Sequence, residues 1–141
     1  GILGSVTVDK VLHKGWKIVP FEFKSDFVAK LVQSEDIWMA ESADTILSQP
    51  SLFKGTFVVS GKPADTFLHV QGWQKGVAFV NGHNLGRYWR IGPQKTLYVP
   101  APWLKEGMNT VLIFEQHPGS SLRSVRFVNE HRLGPTVEHI P

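Results

Sequence analysis

From residue 51 onward the chain is a succession of short apolar segments in which hydrophobic and polar residues alternate. A period of two residues is typical of β-strands, because successive side chains point to opposite faces of a sheet. The segments recur about every ten residues and are separated by Gly, Pro and Asn, which favours an antiparallel sandwich over alternating strands and helices. We therefore predict an all-β fold, an antiparallel sandwich of the jelly-roll type with about eight strands. The segments are LFKGTFVVS, DTFLHVQGW, KGVAFV, TLYVP, NTVLIFEQ and SVRFVNE.

The first fifty residues show weaker periodic patterns of secondary structure. The stretches VTVDKV (6–11) and GWKIVPFEF (15–23) alternate as well, and each predicts a strand. Ser25 is expected to cap one short amphipathic helix. Residues 33–50 are polar and weakly periodic, which predicts a surface excursion. The apolar residues at helical spacing are Phe27, Val28, Leu31 and Val32.

Composition narrows the function classes. A chain of 141 residues with 42% hydrophobic and 19% charged residues can bury the core of one domain without disulfides. Without cysteine it has no thiolate nucleophile and no cysteine-based zinc site. Its apolar runs are too short to span a bilayer, so no membrane partner is predicted. Since the chain begins without an initiator Met or a secretory leader, we expect it to be a fragment of a longer protein.

The net charge of +3 does not predict nucleic-acid binding. The lysines are dispersed and mixed with carboxylates, whereas a phosphate-binding surface needs a patch of Arg and Lys with stacking aromatics on the same face. The six histidines lack metal-ligand spacing, so we predict no metal and no cofactor. Ser120 and Ser121 lack the Gly-x-Ser-x-Gly elbow that would activate a nucleophile.

The stretch FVNGHNLGRYW (79–89) contains a strong hairpin signal. Asn81 and Gly82 are typical of a type I′ turn, whose two central residues both need positive φ, so we predict a structural turn. Gly86 and Gly92 are expected to mark a bend in the returning strand. The stretch Ala101-Pro102-Trp103-Leu104 predicts one helical turn.

Aromatic residues around this hairpin are the candidate binding residues. Aromatic faces pack against sugar rings while Arg, Asn and His bond to hydroxyls, but large aromatics also fill cores and interdomain contacts. Five tryptophans and nine phenylalanines exceed what one small core holds, so at least one of Trp73, Tyr88 and Trp89 is expected to be partly exposed near Arg87. The carbohydrate-binding or interdomain candidates are Trp73, His83, Asn84, Arg87, Tyr88 and Trp89.

Residues 65–116 also resemble a known family. The composite of Trp-x-Lys-Gly, Asn-Gly, Leu-Gly-Arg-Tyr-Trp and Gly-Pro-Gln is similar to the C-terminal galactose-binding-like jelly roll of glycoside hydrolase family 35, and most similar to the animal β-galactosidase-like proteins. The resemblance implies a parent that hydrolyses terminal β-galactosides with retention, using two glutamates on a TIM barrel N-terminal to this region. The nearest look-alike of the glutamate motif, Asn129-Glu130-His131, lacks the following aromatic and glycine. The resemblance therefore implies that this chain contains no catalytic residue.

The resemblance also implies a domain division and partners. Residues 1–14 would be a connecting segment or first strand from the preceding part of the parent, and residues 15–141 the jelly-roll domain. The implied partners are the TIM barrel and another β-domain of the same parent, with carbohydrate as a further candidate. The implied location is secreted or lysosomal, although no Asn-x-Ser/Thr sequon is present, so no N-glycan is expected on this region.

Two functions remain open at this point. The chain could be a non-catalytic accessory domain that supports the catalytic barrel, or an autonomous carbohydrate-binding module that brings the enzyme to its glycan. Exposed aromatics with adjacent polar groups favour the module, and buried aromatics favour the accessory domain.

Overall fold

The computed structural model describes residues 3–20, 22–40, 48–117, 119 and 122–134. Within these residues it contains nine β-strands, one α-helix and one 3₁₀ turn. The elements are β1 (Val6–Val8), β2 (Val11–His13), α1 (Ser25–Gln33), β3 (Ser51–Val59), β4 (Thr66–Gln71), β5 (Lys75–Val80), β6 (His83–Trp89), β7 (Thr96–Val99), the 3₁₀ turn Ala101–Trp103, β8 (Gly107–Glu115) and β9 (Ser124–Val128).

Seven of these strands form the two sheets of a sandwich. One sheet has four strands in the order β3-β8-β5-β6, the other has three in the order β7-β4-β9, and every pairing is antiparallel. The prediction of an antiparallel β-sandwich with one short helix is confirmed, and the six strand segments predicted after residue 51 all contain strands. In the described part of the chain, no helix has the length and apolar character needed to cross a membrane.

The core lies between the two sheets, as the alternating pattern requires. Leu68 and Leu97 of the three-stranded sheet face Val80 and Ile113 of the four-stranded sheet, and all four side chains are buried. Burying an aliphatic side chain of this size contributes about 1.5–3 kcal/mol relative to leaving it in water. The sandwich is therefore held together mainly by hydrophobic contact between the sheets.

Helix α1 covers the outer face of the four-stranded sheet. Its Val28 is buried against Phe79 and Leu112, and the Phe23 ring packs 5.6 Å from that of Phe79. The predicted cap by Ser25 is wrong, because Lys24 is the N-cap residue, makes no side-chain capping bond and accepts the Val28 amide proton through its carbonyl oxygen. Ser25 is therefore the first residue inside the helix rather than its cap.

Two N-terminal predictions are also wrong. The stretch 6–11 is two strands rather than one, because Asp9 and Lys10 both have positive φ and turn the chain between β1 and β2. The stretch 15–23 forms no strand in its described residues, where Trp16 is 63% exposed and Ile18 is 90% exposed. Alternation makes a strand only where a neighbouring strand accepts its hydrogen bonds, and no described strand pairs with this stretch.

Residues 3–20, which include β1 and β2, are called the N-terminal arm.

Beyond α1, residues 34–40 and 48–50 contain neither strand nor helix, as predicted for a surface excursion. Residues 41–47 of that excursion lie outside the described residues.

The predicted hairpin joins β5 to β6. Asn81 has φ of 49° and Gly82 has φ of 84°, which confirms a turn that needs two positive φ values. The predicted bend at Gly86 coincides with a shift in the β5–β6 register between Ala78 and Phe79. The predicted helical turn is also found, as the 3₁₀ turn that follows β7.

At the opposite end of β5, a buried carboxylate holds three backbone segments together. Glu115, the last residue of β8, is 1% exposed. Its Oε2 accepts the amide proton of Gln74 at 2.7 Å, and its Oε1 accepts those of Lys75 at 3.1 Å and His117 at 3.0 Å. The loop before β5 and the chain after β8 are thereby fixed to the end of the central strand.

Replacing the turn glycine should strain the hairpin. In Gly82→Val, a β-branched residue is forced to positive φ, and because no atom would contact its Cβ within 4 Å the cost comes from the backbone alone. We expect the free energy of unfolding, measured in urea, to fall by about 1–2 kcal/mol. Gly4→Val is the matched control, since its Cβ is also uncontacted and its φ is not in the left-handed region. Equal stability of the two variants would contradict the turn assignment.

Removing the charge of Glu115 should destabilise the sandwich. In Glu115→Gln one acceptor oxygen becomes an NH₂ donor that faces backbone N–H groups, so a loss of about 2–4 kcal/mol is expected in urea unfolding. The amide proton signals of Gln74 and Lys75 should move upfield in NMR spectra as their hydrogen bonds weaken. Glu130→Gln, at an exposed position, should change stability by less than about 0.5 kcal/mol. A Glu115→Gln protein as stable as this control would refute the assignment.

Candidate functional site

The structure places two of the six candidate residues inside the core. Trp73 is 8% exposed, its ring packs 4.9 Å from Phe53, and its indole N–H donates to the Ser124 carbonyl oxygen. Tyr88 is 2% exposed and its hydroxyl donates to the Phe114 carbonyl oxygen. Burial, and then the charge of the neighbouring Glu115, raises the pKa of Tyr88 far above its usual value. Neither ring presents a face to solvent that a sugar could cover.

Two further candidates lie together on the outer face of the four-stranded sheet. In the β5–β6 register Lys75 is opposite Trp89 and Val77 is opposite Arg87. The Lys75 ammonium lies 4.6 Å and the Arg87 guanidinium 5.1 Å from the centre of the Trp89 ring. We call Lys75, Arg87 and Trp89 the Trp89 surface.

The Trp89 surface combines a partly exposed aromatic ring with two positive charges. Trp89 is partly exposed, which confirms that at least one of the three aromatic candidates near Arg87 reaches solvent. Among the described residues, neither cation of this surface forms an ion pair with a carboxylate. Each cation–π contact is worth about 0.5–1 kcal/mol at an exposed site, so the indole orients both charges. The surface can receive an apolar group together with an acidic one.

The remaining two candidates lie at the opposite end of β6. The His83 ring stacks on Trp103, with centroids 4.7 Å apart and planes 8° from parallel. The Asn84 side-chain oxygen accepts the amide proton of Gly86 at 2.7 Å and so supports the bend in β6. The six candidates therefore occupy the core and two separate surfaces rather than one site.

A network of two asparagines supports the His83 end of the molecule. The Asn81 amide donates to the Trp103 carbonyl oxygen at 2.8 Å and to the Asn109 side chain at 2.7 Å. Asn109 is fully buried, accepts the Lys105 amide proton and donates to the Lys105 and Gly107 carbonyl oxygens. The Asn81 side chain thus also positions the turn that carries Trp103. Sequence analysis missed the role of Asn109, whose local signal is an Asn two residues after the turn glycine Gly107.

An open groove of about 390 Å³ lies beside this network, between α1 and the chain after β7. Its volume lies within the range of small-molecule sites. His83 stacks on one face of the Trp103 indole, and Trp103 also lines the groove. Sequence analysis did not identify Trp103 as a candidate binding residue. Trp103 borders a groove only because α1 packs nearby, and this tertiary packing is not visible in the local sequence. The groove is lined by Ala29, Val32, Gln33, Asn81, Gly82, Pro102, Trp103, Leu104, Lys105 and Thr110.

Two of the described acidic residues, Glu115 and Asp65, have structural roles. Glu115 accepts three backbone amide protons. Asp65 accepts the Ala101 amide proton and then the Tyr98 hydroxyl proton, and these two bonds lower the pKa of its carboxyl. Within the described ranges, no three His, Asp or Glu side chains are grouped so that they could hold a metal ion.

Comparison with known proteins matches the sandwich to a family. The model of the β-galactosidase galactose-binding domain matches residues 50–109, from the start of β3 into β8. Human β-galactosidase-1-like protein 2 is 42% identical over 116 residues, covering 82% of this chain and 18% of the relative. Arabidopsis thaliana β-galactosidase 17 is 41% identical, with the same two shares, and Macaca fascicularis β-galactosidase is 32% identical over 95% of this chain and 22% of its own length.

The chain therefore spans about a fifth of the length of these relatives, all of which have the name β-galactosidase or β-galactosidase-like. The matched region includes the hairpin, both tryptophans of the β4–β6 segment and the two asparagines of the network. Residues 50–109, from β3 into β8, are therefore similar to the galactose-binding domain of β-galactosidases.

Proposed function

We propose that this chain is a non-catalytic accessory domain that supports the catalytic part of a larger β-galactosidase. The observation that carries the proposal is the apolar exposure of the N-terminal arm. Val11, Trp16, Ile18 and Val19 are all exposed, although an isolated two-stranded hairpin is at best marginally stable in water. Such an arm is stable when its apolar side chains are covered, and the relatives' chains are about five times longer than the matched segment.

The chemistry of the described carboxyls supports a non-catalytic role. A retaining glycosidase needs two carboxyls about 5 Å apart, one of which is an acid whose pKa is raised by its surroundings. The Asp65 carboxyl has its pKa shifted in the opposite direction, and Glu115 is occupied by backbone amide groups. The catalytic glutamates of the parent would lie outside this chain.

The whole parent is part of the same proposal. It would hydrolyse terminal β-galactosides with retention on a TIM barrel, and this domain would contact that barrel and a second β-domain. The Trp89 surface, with its two cations and a partly exposed indole, suits such a contact. We also propose that the parent is secreted or lysosomal, as its relatives' family suggests.

The groove favours a second candidate function, carbohydrate binding. Trp103 offers an indole face, and Gln33, Lys105 and Thr110 offer groups that can bond to hydroxyls. The groove lies at the hairpin end of β5 and β6, whereas Lys75 and Trp89 lie at the other end. Binding of a sugar there would be compatible with docking through the Trp89 surface.

A sugar titration of the isolated chain separates the two surfaces. With galactose or lactose at millimolar concentration, the indole N–H signal of Trp89 should not move in NMR spectra, because this surface is assigned to a protein contact. A saturable shift of the Trp103 signal that disappears in Trp103→Ala would support the second candidate. The matched control is Trp16→Ala, which removes an exposed indole that does not line the groove and should leave that shift intact. A saturable shift of Trp89 would refute the accessory role assigned to its surface.

A further inference from the structure

The outer face of the three-stranded sheet differs from that of the four-stranded sheet. Val125 and Phe127 of β9 pack into the core, so their neighbours Ser124 and Arg126 point outward. Helix α1 covers the outer face of the four-stranded sheet. On the outer face of β7-β4-β9, the His131 ring lies against Phe67 and the Arg132 amide donates to the Thr96 hydroxyl oxygen, while Tyr98 stays exposed. We call this surface the open face and define it by Phe67, His69, Tyr98, Arg126 and Arg132.

The open face is more aromatic than a solvated sheet surface needs to be. Tyr98 is 47% exposed, and its ring lies 5.5 Å from that of Phe67, with a tilt of 49°. On the other side the His131 ring lies 6.1 Å from Phe67, with a tilt of 56°. Rings that pack at these angles form no flat platform for a sugar ring, and the exposed part of Tyr98 is apolar surface that an aliphatic side chain can cover.

A cationic row borders these rings. His69 lies between Arg126 and Thr96 in the strand registers, and the Thr96 hydroxyl oxygen accepts the Arg132 amide proton. The Arg126 guanidinium donates to the Gln71 side-chain oxygen. Partial burial, followed by the charges of Arg132 and Arg126, lowers the pKa of His69, so the row's positive charge comes from the two guanidinium groups.

The charges of the open face are not balanced within the described structure. Among the described residues, neither Arg126 nor Arg132 is in an ion pair, and Asp65 at the margin of the face is bonded to Tyr98 and Ala101. Surfaces that contact other proteins are enriched in Tyr, Phe and Arg and depleted of Lys, Asp and Glu, and the open face has this composition. A second copy of this chain docked face to face would bring guanidinium groups together, which is unfavourable.

We propose that the open face is a contact surface for another part of the same parent chain, one that presents a carboxylate to Arg126 and Arg132 and an aliphatic side chain to Phe67 and Tyr98. The proposal rests on the proposed function, because it assumes that the domain is packed against other parts of a longer protein. It adds the location and the chemistry of one contact. Most of the relatives' length lies outside the matched segment, so ample chain is present to supply it.

The test uses single cysteines as probes, since residues 1–141 contain none. Ser124→Cys reports on the open face and Thr7→Cys on the N-terminal arm, and both positions are exposed and polar. The rate of maleimide labelling at each cysteine is followed by peptide mass spectrometry in the isolated chain and in the full-length protein. We expect labelling at both positions to be at least about tenfold slower in the full-length protein, because a covered site reacts only when it opens.

Charge variants of the full-length Ser124→Cys protein test the chemistry of the contact. Because nearby charges change the thiolate fraction of the probe, each full-length variant is compared with the isolated chain that has the same substitutions. Arg126→Glu with Arg132→Glu should label at the rate of its isolated counterpart, whereas Arg126→Lys with Arg132→Lys should keep most of the protection. Cooperative melting of the isolated variants shows that the sandwich is intact.

The outcomes separate the two proposals. Protection at Thr7→Cys without protection at Ser124→Cys would overturn the open-face contact and leave the accessory role standing. Protection at neither position would overturn both. Protection at Ser124→Cys that the glutamate variants do not relieve would also overturn the inference, because the covering surface would not be acidic.

Discussion

The buried carboxylate of Glu115 is the interaction on which the rest of this structure depends. Moving a carboxylate out of water costs several kcal/mol unless hydrogen bonds replace its hydration. Here three backbone amide groups do so, and they belong to the residue before β5, the first residue of β5 and the chain after β8. The bond to Lys75 fixes the first residue of β5, and the register then places Trp89 opposite it. The Trp89 surface therefore has a defined geometry because a buried charge anchors the strand beneath it.

The opposite end of the same strands is fixed by amides rather than by a charge. Asn81 and Asn109 bond to each other and to the chain that carries Trp103, so hydrogen bonds connect the hairpin, the 3₁₀ turn and β8. Both ends of β5 are thus anchored by buried polar groups with satisfied hydrogen bonds, which favours one register over its alternatives. The groove beside Trp103 follows from this arrangement, because α1 packs across the sheet and leaves a gap next to the 3₁₀ turn.

The sequence predicts the strands after residue 51 well, because each of them pairs with a neighbouring strand and buries its alternate apolar residues in the core. The same alternation fails at Trp16 and Ile18, where no described strand accepts the pairing. Tyr88 and Trp89 show a second limit of sequence-based prediction. Adjacent strand residues point to opposite faces of the sheet, so Tyr88 is buried and Trp89 is partly exposed. The composition of the segment does not reveal which of the two is buried. The roles of Glu115 and Asn109 depend on partners 40 and 28 residues away, respectively, which local patterns do not reveal.

The central claim is that this domain contributes stability, and not catalysis, to a larger β-galactosidase. Hydrolysis of a chromogenic β-galactoside tests it when the isolated chain, the full-length protein and the full-length protein without residues 1–141 are assayed side by side at rising temperature. The account predicts no turnover by the isolated chain, and a protein without the domain that is inactivated at a lower temperature than the full-length protein because apolar surface has been uncovered. Turnover by the isolated chain that is lost on replacing one of its own carboxylates, such as Glu130→Gln, would contradict the account.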